Sequence, residues 1–273
     1  MPKLDTLKEL VENSMSRRQF GKTLGLTTAG LAASTFIGGA VLGSPEQAEA
    51  ATITDADILN FALNLEYLEG EFYTCVVTGK TLTQAGVIPA SASTGPTKGC
   101  QKVNFGGNAE VLAIATQIMH DEQEHVRFIR AALGSAAVKK PEINLDALGF
   151  GFANPDEFLK LARDFEDVGV SAYGGAAPLI KSHAILAAAA RIALTEAEHA
   201  GNIRLKMVLQ GLQEPPVDPK DIPPRESHFF SVTSKGLAIV RSTSEVLRIV
   251  YAGGTCSGGF FPEGFNGHIK CAS

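Results

Sequence analysis

Two short stretches, Glu122-Gln-Glu-His125 and Glu196-Ala-Glu-His199, decide how the rest of this sequence is interpreted. In each stretch a glutamate is followed three residues later by a histidine. Positions three apart share one face of an α-helix, so each stretch directs a carboxylate and an imidazole to the same place. Because both groups are metal ligands, the repeated pattern predicts a metal site to which two helices contribute.

Two further stretches supply a glutamate followed seven residues later by a tyrosine: Glu66 with Tyr73, and Glu166 with Tyr173. Seven residues is two helical turns, so each tyrosine lies on the same stripe as its glutamate. One glutamate from each of two helices, with Glu-x-x-His from each of two others, is the ligand set of a dinuclear site in a four-helix bundle. The predicted metal ligands are therefore Glu66, Glu122, His125, Glu166, Glu196 and His199.

Apolar residues recur with helical period around these ligands and predict four long helices. The predicted helices span residues 55 to about 77, 108 to 133, about 154 to beyond 173, and roughly 184 to 212. The order of the ligands repeats in the two halves of this region. This repeat implies two helical hairpins related by a pseudo-twofold axis.

The stripe on the first helix places Glu66 toward the core and Glu71 toward water. Glu69 lies between them and is predicted to be either a further ligand or a residue that contacts the ligands. Gly70 and Gly169 stand within one turn of Glu66 and of its counterpart in the repeat. We expect these glycines to leave room for a metal or an oxidant.

Four glutamates on inward stripes require compensating positive charge, because an unpaired carboxylate in an apolar core costs several kcal/mol. The basic residues near these stripes, Arg163, Lys181 and Arg191, do not repeat with the ligands. Two divalent cations would balance four carboxylates with two neutral imidazoles. The mixed oxygen and nitrogen set suits iron or manganese, so the expected cofactors are two Fe or two Mn ions.

Residues 1–50 have the features of an export signal. Arg17 and Arg18 precede an apolar run from Leu24 to Leu42, and Ala48-Glu-Ala50 is a small-x-small cleavage site. The paired arginines indicate the twin-arginine route. We expect the segment to be removed, leaving a periplasmic or extracellular protein with no stable membrane span.

We divide the remaining chain into a bundle, residues 51–212, and an irregular C-terminal extension, residues 213–273, that wraps the bundle. Within the bundle, residues 78–107 are rich in Gly, Pro, Ser and Thr and predict a long first connection between helices. The four cysteines lie in the exported part, where an oxidising compartment allows disulfides. Proximity in sequence favours pairing Cys75 with Cys100 and Cys256 with Cys271, although the sequence alone fixes neither pair.

The composition limits the class of protein. The 273 residues are 45% hydrophobic and 19% charged, which is enough for one substantial core. A net charge of −5 and an isoelectric point near 5.7, with no stripe of Lys and Arg, argue against a nucleic-acid partner.

The sequence resembles the ferritin-like superfamily of carboxylate-bridged dinuclear-metal bundles, and within it the exported ferritin-like proteins associated with desiccation. The resemblance extends over nearly all of the chain after the signal. Its motifs are Ile58–Glu69, Phe165–Gly169, Glu196–Ala200 and the tail from Asp218 through Phe230.

The resemblance implies an all-α fold, a ferritin-like four-helix bundle, and a role for each ligand position. Glu66 and Glu166 would be terminal ligands, with Tyr73 and Tyr173 in contact with the ligands and able to donate a hydrogen bond or pass an electron. Glu122 and Glu196 would be bridging ligands, and His125 and His199 would be the nitrogen ligands.

The leading functional hypothesis is an oxidoreductase that acts on O₂ or peroxide in stress protection, with a manganese catalase-like reaction as a close variant. A different class is a structural desiccation-stress protein whose metal site only stabilises the fold. Iron storage is a third hypothesis. The expected partner is the small oxidant, and a homo-oligomer is compatible with each hypothesis.

Overall fold

The structure is a computed structural model that describes residues 53–273, and its core is a bundle of four long helices. The first helix packs mainly on the second and the third mainly on the fourth, which gives the two hairpins expected from the repeat. The all-α, four-helix prediction is confirmed, whereas the predicted signal segment lies outside the described residues. The helices are α1 (Asp55–Thr78), α2 (Ala109–Leu133), α3 (Pro155–Ala176) and α4 (His183–Leu209).

Each helix begins after a short polar residue whose side chain accepts a hydrogen bond from a free N–H of the first turn. Gly211, with φ of +66°, reverses the chain after α4, so this helix ends three residues before the predicted Leu212. The N-terminal caps are Thr54, Asn108, Asn154 and Ser182.

The long connection between α1 and α2 lies against the bundle, and a disulfide and a short ladder are among the contacts that hold it. A disulfide joins Cys75, near the end of α1, to Cys100. A short parallel ladder pairs β1 (Thr97–Lys98) with β2 (Ile143–Asn144) from the connection between α2 and α3. Single 3₁₀ turns occur at Ala90–Ala92, Gly134–Ala136 and Ala177–Leu179.

The expectation that Glu71 faces water is wrong. Its side chain is fully buried, accepts a hydrogen bond of 2.9 Å from the Leu82 N–H, and lies 3.7 Å from the Lys140 ammonium. Both partners belong to the connections that cover the outer face of α1. A helical stripe identifies the face toward the other helices but gives no information about loops that cover the opposite face.

The C-terminal extension is joined to the bundle by three arginines that are each at most 2% exposed. Each arginine forms an ion pair, and each also contacts a residue across the boundary between the bundle and the extension. A short helix of the extension, α5 (Thr243–Val250), packs on α3. The second disulfide, Cys256–Cys271, closes the end of the extension. The partners are Glu214 and Asp221 for Arg163, Asp167 and the Phe229 carbonyl for Arg204, and Asp218 and Ser171 for Arg241.

Within residues 53–273, no helix combines the length and the hydrophobicity that a bilayer crossing requires.

We predict that Lys140→Met lowers the free energy of unfolding by about 3 kcal/mol, because it leaves the Glu71 carboxylate buried without its cation. The matched control is Lys98→Met, which breaks the pair of Lys98, 59% exposed, with Glu142 and should cost less than about 1 kcal/mol. Urea denaturation measures both values. Equal losses of unfolding free energy in the two variants would contradict a stabilising role for the buried pair of Glu71 and Lys140.

Candidate metal centre

The structure brings all six predicted ligands together in the interior of the bundle. The four glutamates are fully buried and the two histidines are at most 9% exposed. Their donor atoms form two groups, in each of which all atoms lie within 4.8 Å of one another. Glu122 and Glu196 belong to both groups, and the groups are Glu66, Glu122, His125 and Glu196, and Glu122, Glu166, Glu196 and His199.

In the first group three carboxylates converge on one imidazole nitrogen. His125 Nδ1 lies 3.2 Å from Glu66 Oε2, 3.3 Å from Glu122 Oε2 and 3.2 Å from Glu196 Oε1. One N–H cannot donate a full hydrogen bond to three acceptors. Donor atoms arranged around a common centre in this way can share a metal ion.

The second group has an additional carboxylate behind its imidazole. His199 Nδ1 lies 3.1 Å from Glu122 Oε1 and 3.4 Å from Glu166 Oε2, while its other nitrogen lies 3.2 Å from Asp121 Oδ2. A carboxylate in this position fixes the tautomer and orientation of a metal-binding histidine. The sequence signal for Asp121 is its place directly before Glu122.

Each tyrosine bonds to the glutamate of the opposite helix, not to the glutamate on its own stripe. The Tyr73 hydroxyl donates to Glu166 Oε1 at 2.5 Å, and the Tyr173 hydroxyl donates to Glu66 Oε1. This exchange requires α1 and α3 to be antiparallel. Burial, followed by the charge of the partner glutamate, raises the pKa of both tyrosines well above its usual value, so both remain hydrogen-bond donors.

Glu69 lies beside the two groups and belongs to neither. Its carboxylate oxygen and one from Glu196 are each 2.8 Å from the point that a Cβ on Gly169 would occupy. Gly169 therefore leaves space at the ligands, as expected. The same expectation is wrong for Gly70, where a Cβ would meet Leu82 and Val126 in the packed core.

The buried acids and imidazoles perturb one another strongly. Burial raises the pKa of Glu66 to about 7, and burial with neighbouring carboxylates raises the pKa of Glu196 well above its usual value. Burial also opposes ionisation of Glu122, but the neighbouring His125 and His199 outweigh it and lower the pKa of Glu122 to about 2. Although burial disfavours its charged form, His199 has a pKa raised to about 12 by Glu166 and Glu122.

Several ligand atoms have no hydrogen-bond partner among the described residues, and this tests whether the group fits a metal. Buried polar atoms are almost always paired, because an unpaired one loses its hydration without compensation. Coordination of a cation would satisfy all of these atoms together, so this buried group could bind a metal. The unpaired atoms are Glu66 Oε2, Glu122 Oε1, Glu166 Oε2, both oxygens of Glu196, and His199 Nδ1.

A four-helix bundle with buried glutamates and histidines at these positions defines the ferritin-like class of proteins. The family profile of the ferritin-like domain matches residues 54–208, more than half of the chain. The chain belongs to this family, and the predicted resemblance is confirmed.

Two curated relatives are similar to this chain. The ferritin-like catalase Nec2 of Nesocodon mauritianus is 25% identical over 272 residues, covering 79% of this chain and 84% of the relative. The desiccation-related protein PCC13-62 of Craterostigma plantagineum is 29% identical over 147 residues, covering 47% of this chain and 45% of the relative.

Asp121→Asn should weaken metal retention about tenfold, because His199 loses the carboxylate that orients its ring. The measurement is residual metal after dialysis against graded concentrations of chelator. Glu124→Gln, an exposed change on the same helix, is the control and should retain metal as the parent protein does. Parallel release curves for the two variants would show that Asp121 has no such role.

The metal-free protein should lose thermal stability as pH rises from about 5 to about 8. Glu66, Glu196 and His199 have raised pKa values and bind more protons when folded, so their contribution is lost as pH rises through the folded-state values. The pKa of Glu122 is lowered instead, so Glu122 changes the stability only at pH values below its ordinary pKa of 4.5, which is outside this window. The measurement is the melting temperature, and added Mn²⁺ should remove the decrease because binding releases these protons. A melting temperature that rises with pH without metal would oppose this account.

Proposed function

We propose that this protein is an exported oxidoreductase that holds two Fe or two Mn ions and acts on peroxide or O₂ in stress protection. The observation that supports it most is the sharing of Glu122 and Glu196 between two donor groups, each of which includes its own histidine. Two carboxylates common to two groups could bridge two ions. In this proposal Glu66 completes the donor group that contains His125, and Glu166 completes the group that contains His199.

The residues around the centre would each have a defined task. When bound, such ions supply the capacity to exchange electrons with peroxide or O₂. Tyr73 and Tyr173 hold one oxygen of each terminal glutamate and leave the other free to coordinate. Asp121 holds the His199 ring, and the apolar shell excludes bulk water. These roles follow from contacts of this chain.

Peroxide is the substrate we favour, because the relative with the wider coverage is named a ferritin-like catalase. Export is supported by two features. One is the predicted twin-arginine segment at residues 1–50. The other is the pair of disulfides, Cys75–Cys100 and Cys256–Cys271, since such bonds persist in oxidising compartments.

The second candidate is a structural stress protein in which metal only stabilises the bundle. It is favoured by the relative named a desiccation-related protein and by the repulsion among buried carboxylates that a cation would relieve. In that case metal would raise the melting temperature without any turnover. Iron storage remains the third hypothesis, for which size measurement would have to show a large hollow assembly.

The test combines metal analysis with oxygen release from hydrogen peroxide. We expect two metal ions per chain, oxygen evolution by the loaded protein, and loss of both in Glu122→Ala and Glu196→Ala. The matched controls are Glu124→Ala and Glu198→Ala, which remove exposed glutamates two residues further on in the same motifs. Both controls should keep metal and activity.

The outcomes separate the candidates. The proposed centre is contradicted if the metal-free protein is fully active, or if the protein retains neither Fe nor Mn after loading. Two bound ions that raise the melting temperature without reacting with peroxide or O₂ would favour the structural candidate instead.

A further inference from the structure

A cavity of about 240 Å³ extends from the protein surface toward the metal centre. It lies between α1, α3 and the C-terminal extension. Its outer rim includes Leu148, Arg248 and Ala252, all exposed, whereas Glu69 and Gly169 are buried among its lining residues. Glu69 is 4% exposed. The cavity therefore has one end at solvent and another beside the ligands.

The inner end lies where the two halves of the repeat differ. An offset of 100 residues relates Glu66 to Glu166 and Tyr73 to Tyr173, and it relates Glu69 to Gly169. The missing side chain at Gly169 leaves the Glu69 and Glu196 carboxylates on the two sides of one small space. Only one half of the bundle thus provides a carboxylate at this position, and the other half provides the opening.

The chemistry of the cavity selects small neutral molecules. Most of its lining is aliphatic or aromatic, including Leu65, Leu68, Val168 and Phe260. A water molecule occupies roughly 30 Å³ in the liquid, so the space admits several molecules as small as O₂ or peroxide. Pockets for drug-sized ligands begin at roughly 300 Å³, which is larger than this cavity.

Glu69 is the polar group that an entering molecule would meet last. Its side chain lines the cavity and is 4% exposed, so the carboxyl group is accessible from the cavity. Glu71, two residues further on, points instead to the interhelical connections, where it contacts the Leu82 N–H and the Lys140 ammonium. Glu69 therefore retains the capacity to bond a ligand.

We propose that this cavity is the route by which peroxide or O₂ reaches the metal centre, and that Glu69 is the residue that binds peroxide by a hydrogen bond at its inner end. The inference rests on the proposed metal centre and specifies how its substrate enters. Glu69 would touch substrate, whereas Gly169 would act only by the space it leaves.

The first test measures entry with nitric oxide, a neutral diatomic probe, in protein loaded anaerobically with Fe²⁺. Gly169→Ala should slow binding of nitric oxide about tenfold in stopped-flow absorbance, because its methyl group fills the shared space. The matched control is Gly201→Ala on α4, where an added Cβ meets nothing within 4 Å. Both glycines are helical with negative φ, so neither change strains the backbone.

A second variant keeps this test independent of the ligands. Val217→Phe enlarges a half-buried lining residue of the C-terminal extension, which contributes no ligand, and should also slow entry of nitric oxide. Iron content is measured in every variant. If Gly169→Ala loses iron, the rate in Val217→Phe decides the outcome.

The second test isolates Glu69 by comparing two probes in one variant. Glu69→Leu should slow oxidation of the Fe²⁺-loaded protein by hydrogen peroxide about tenfold, because the hydrogen bond is lost. Binding of nitric oxide should stay within about twofold of the parent protein, since the space is kept. A purely structural role would change both rates together.

Failure of the parent protein to bind either Fe²⁺ or Mn²⁺ would defeat the proposed function itself. With iron bound, nitric oxide rates in Gly169→Ala and Val217→Phe that equal the Gly201→Ala rate would overturn the route. With the route intact, an unchanged peroxide rate in Glu69→Leu would overturn the role of Glu69.

Discussion

The placement of carboxylates inside an apolar bundle is the constraint on which this structure depends. Within residues 53–273, buried acids at three places illustrate this constraint, because each needs positive charge nearby. Lys140 neutralises Glu71, and the arginines of the bundle neutralise the acids around Asp167. At the third place, around Glu122 and Glu196, the described residues contribute two imidazoles. Comparison of the three places indicates that the third is the one that could bind a metal ion.

Much of this site could be predicted because its ligands lie on helices. Helical spacing fixes which residues share a face, so Glu122 and His125 could be paired from their separation alone. The same reasoning applied to Glu66 and Glu166, and together these residues indicated the bundle and the location of its centre. Local periodicity was sufficient because the six ligands all point to the axis of the bundle.

Other features could not be predicted, because they depend on segments distant in sequence. The burial of Glu71 depends on Lys140, 69 positions away, and the hydrogen bonds of the two tyrosines cross between helices. A stripe places Tyr73 above Glu66 but does not reveal that the antiparallel helix brings Glu166 closer. The N-terminal signal and the boundaries of the domains stay predictions, since the described residues begin at 53.

The three buried arginines have a consequence for the integrity of the molecule. A guanidinium stays charged at every pH that a protein encounters, so it cannot adapt to isolation by releasing a proton. If the segment after residue 212 detached, Arg163 would lose Glu214 and Asp221 and keep Asp164 and Asp167 of its own helix, and Arg204 would lose the Phe229 carbonyl. Detachment of the outer wrapping would therefore remove charge pairs from the helix that carries Glu166.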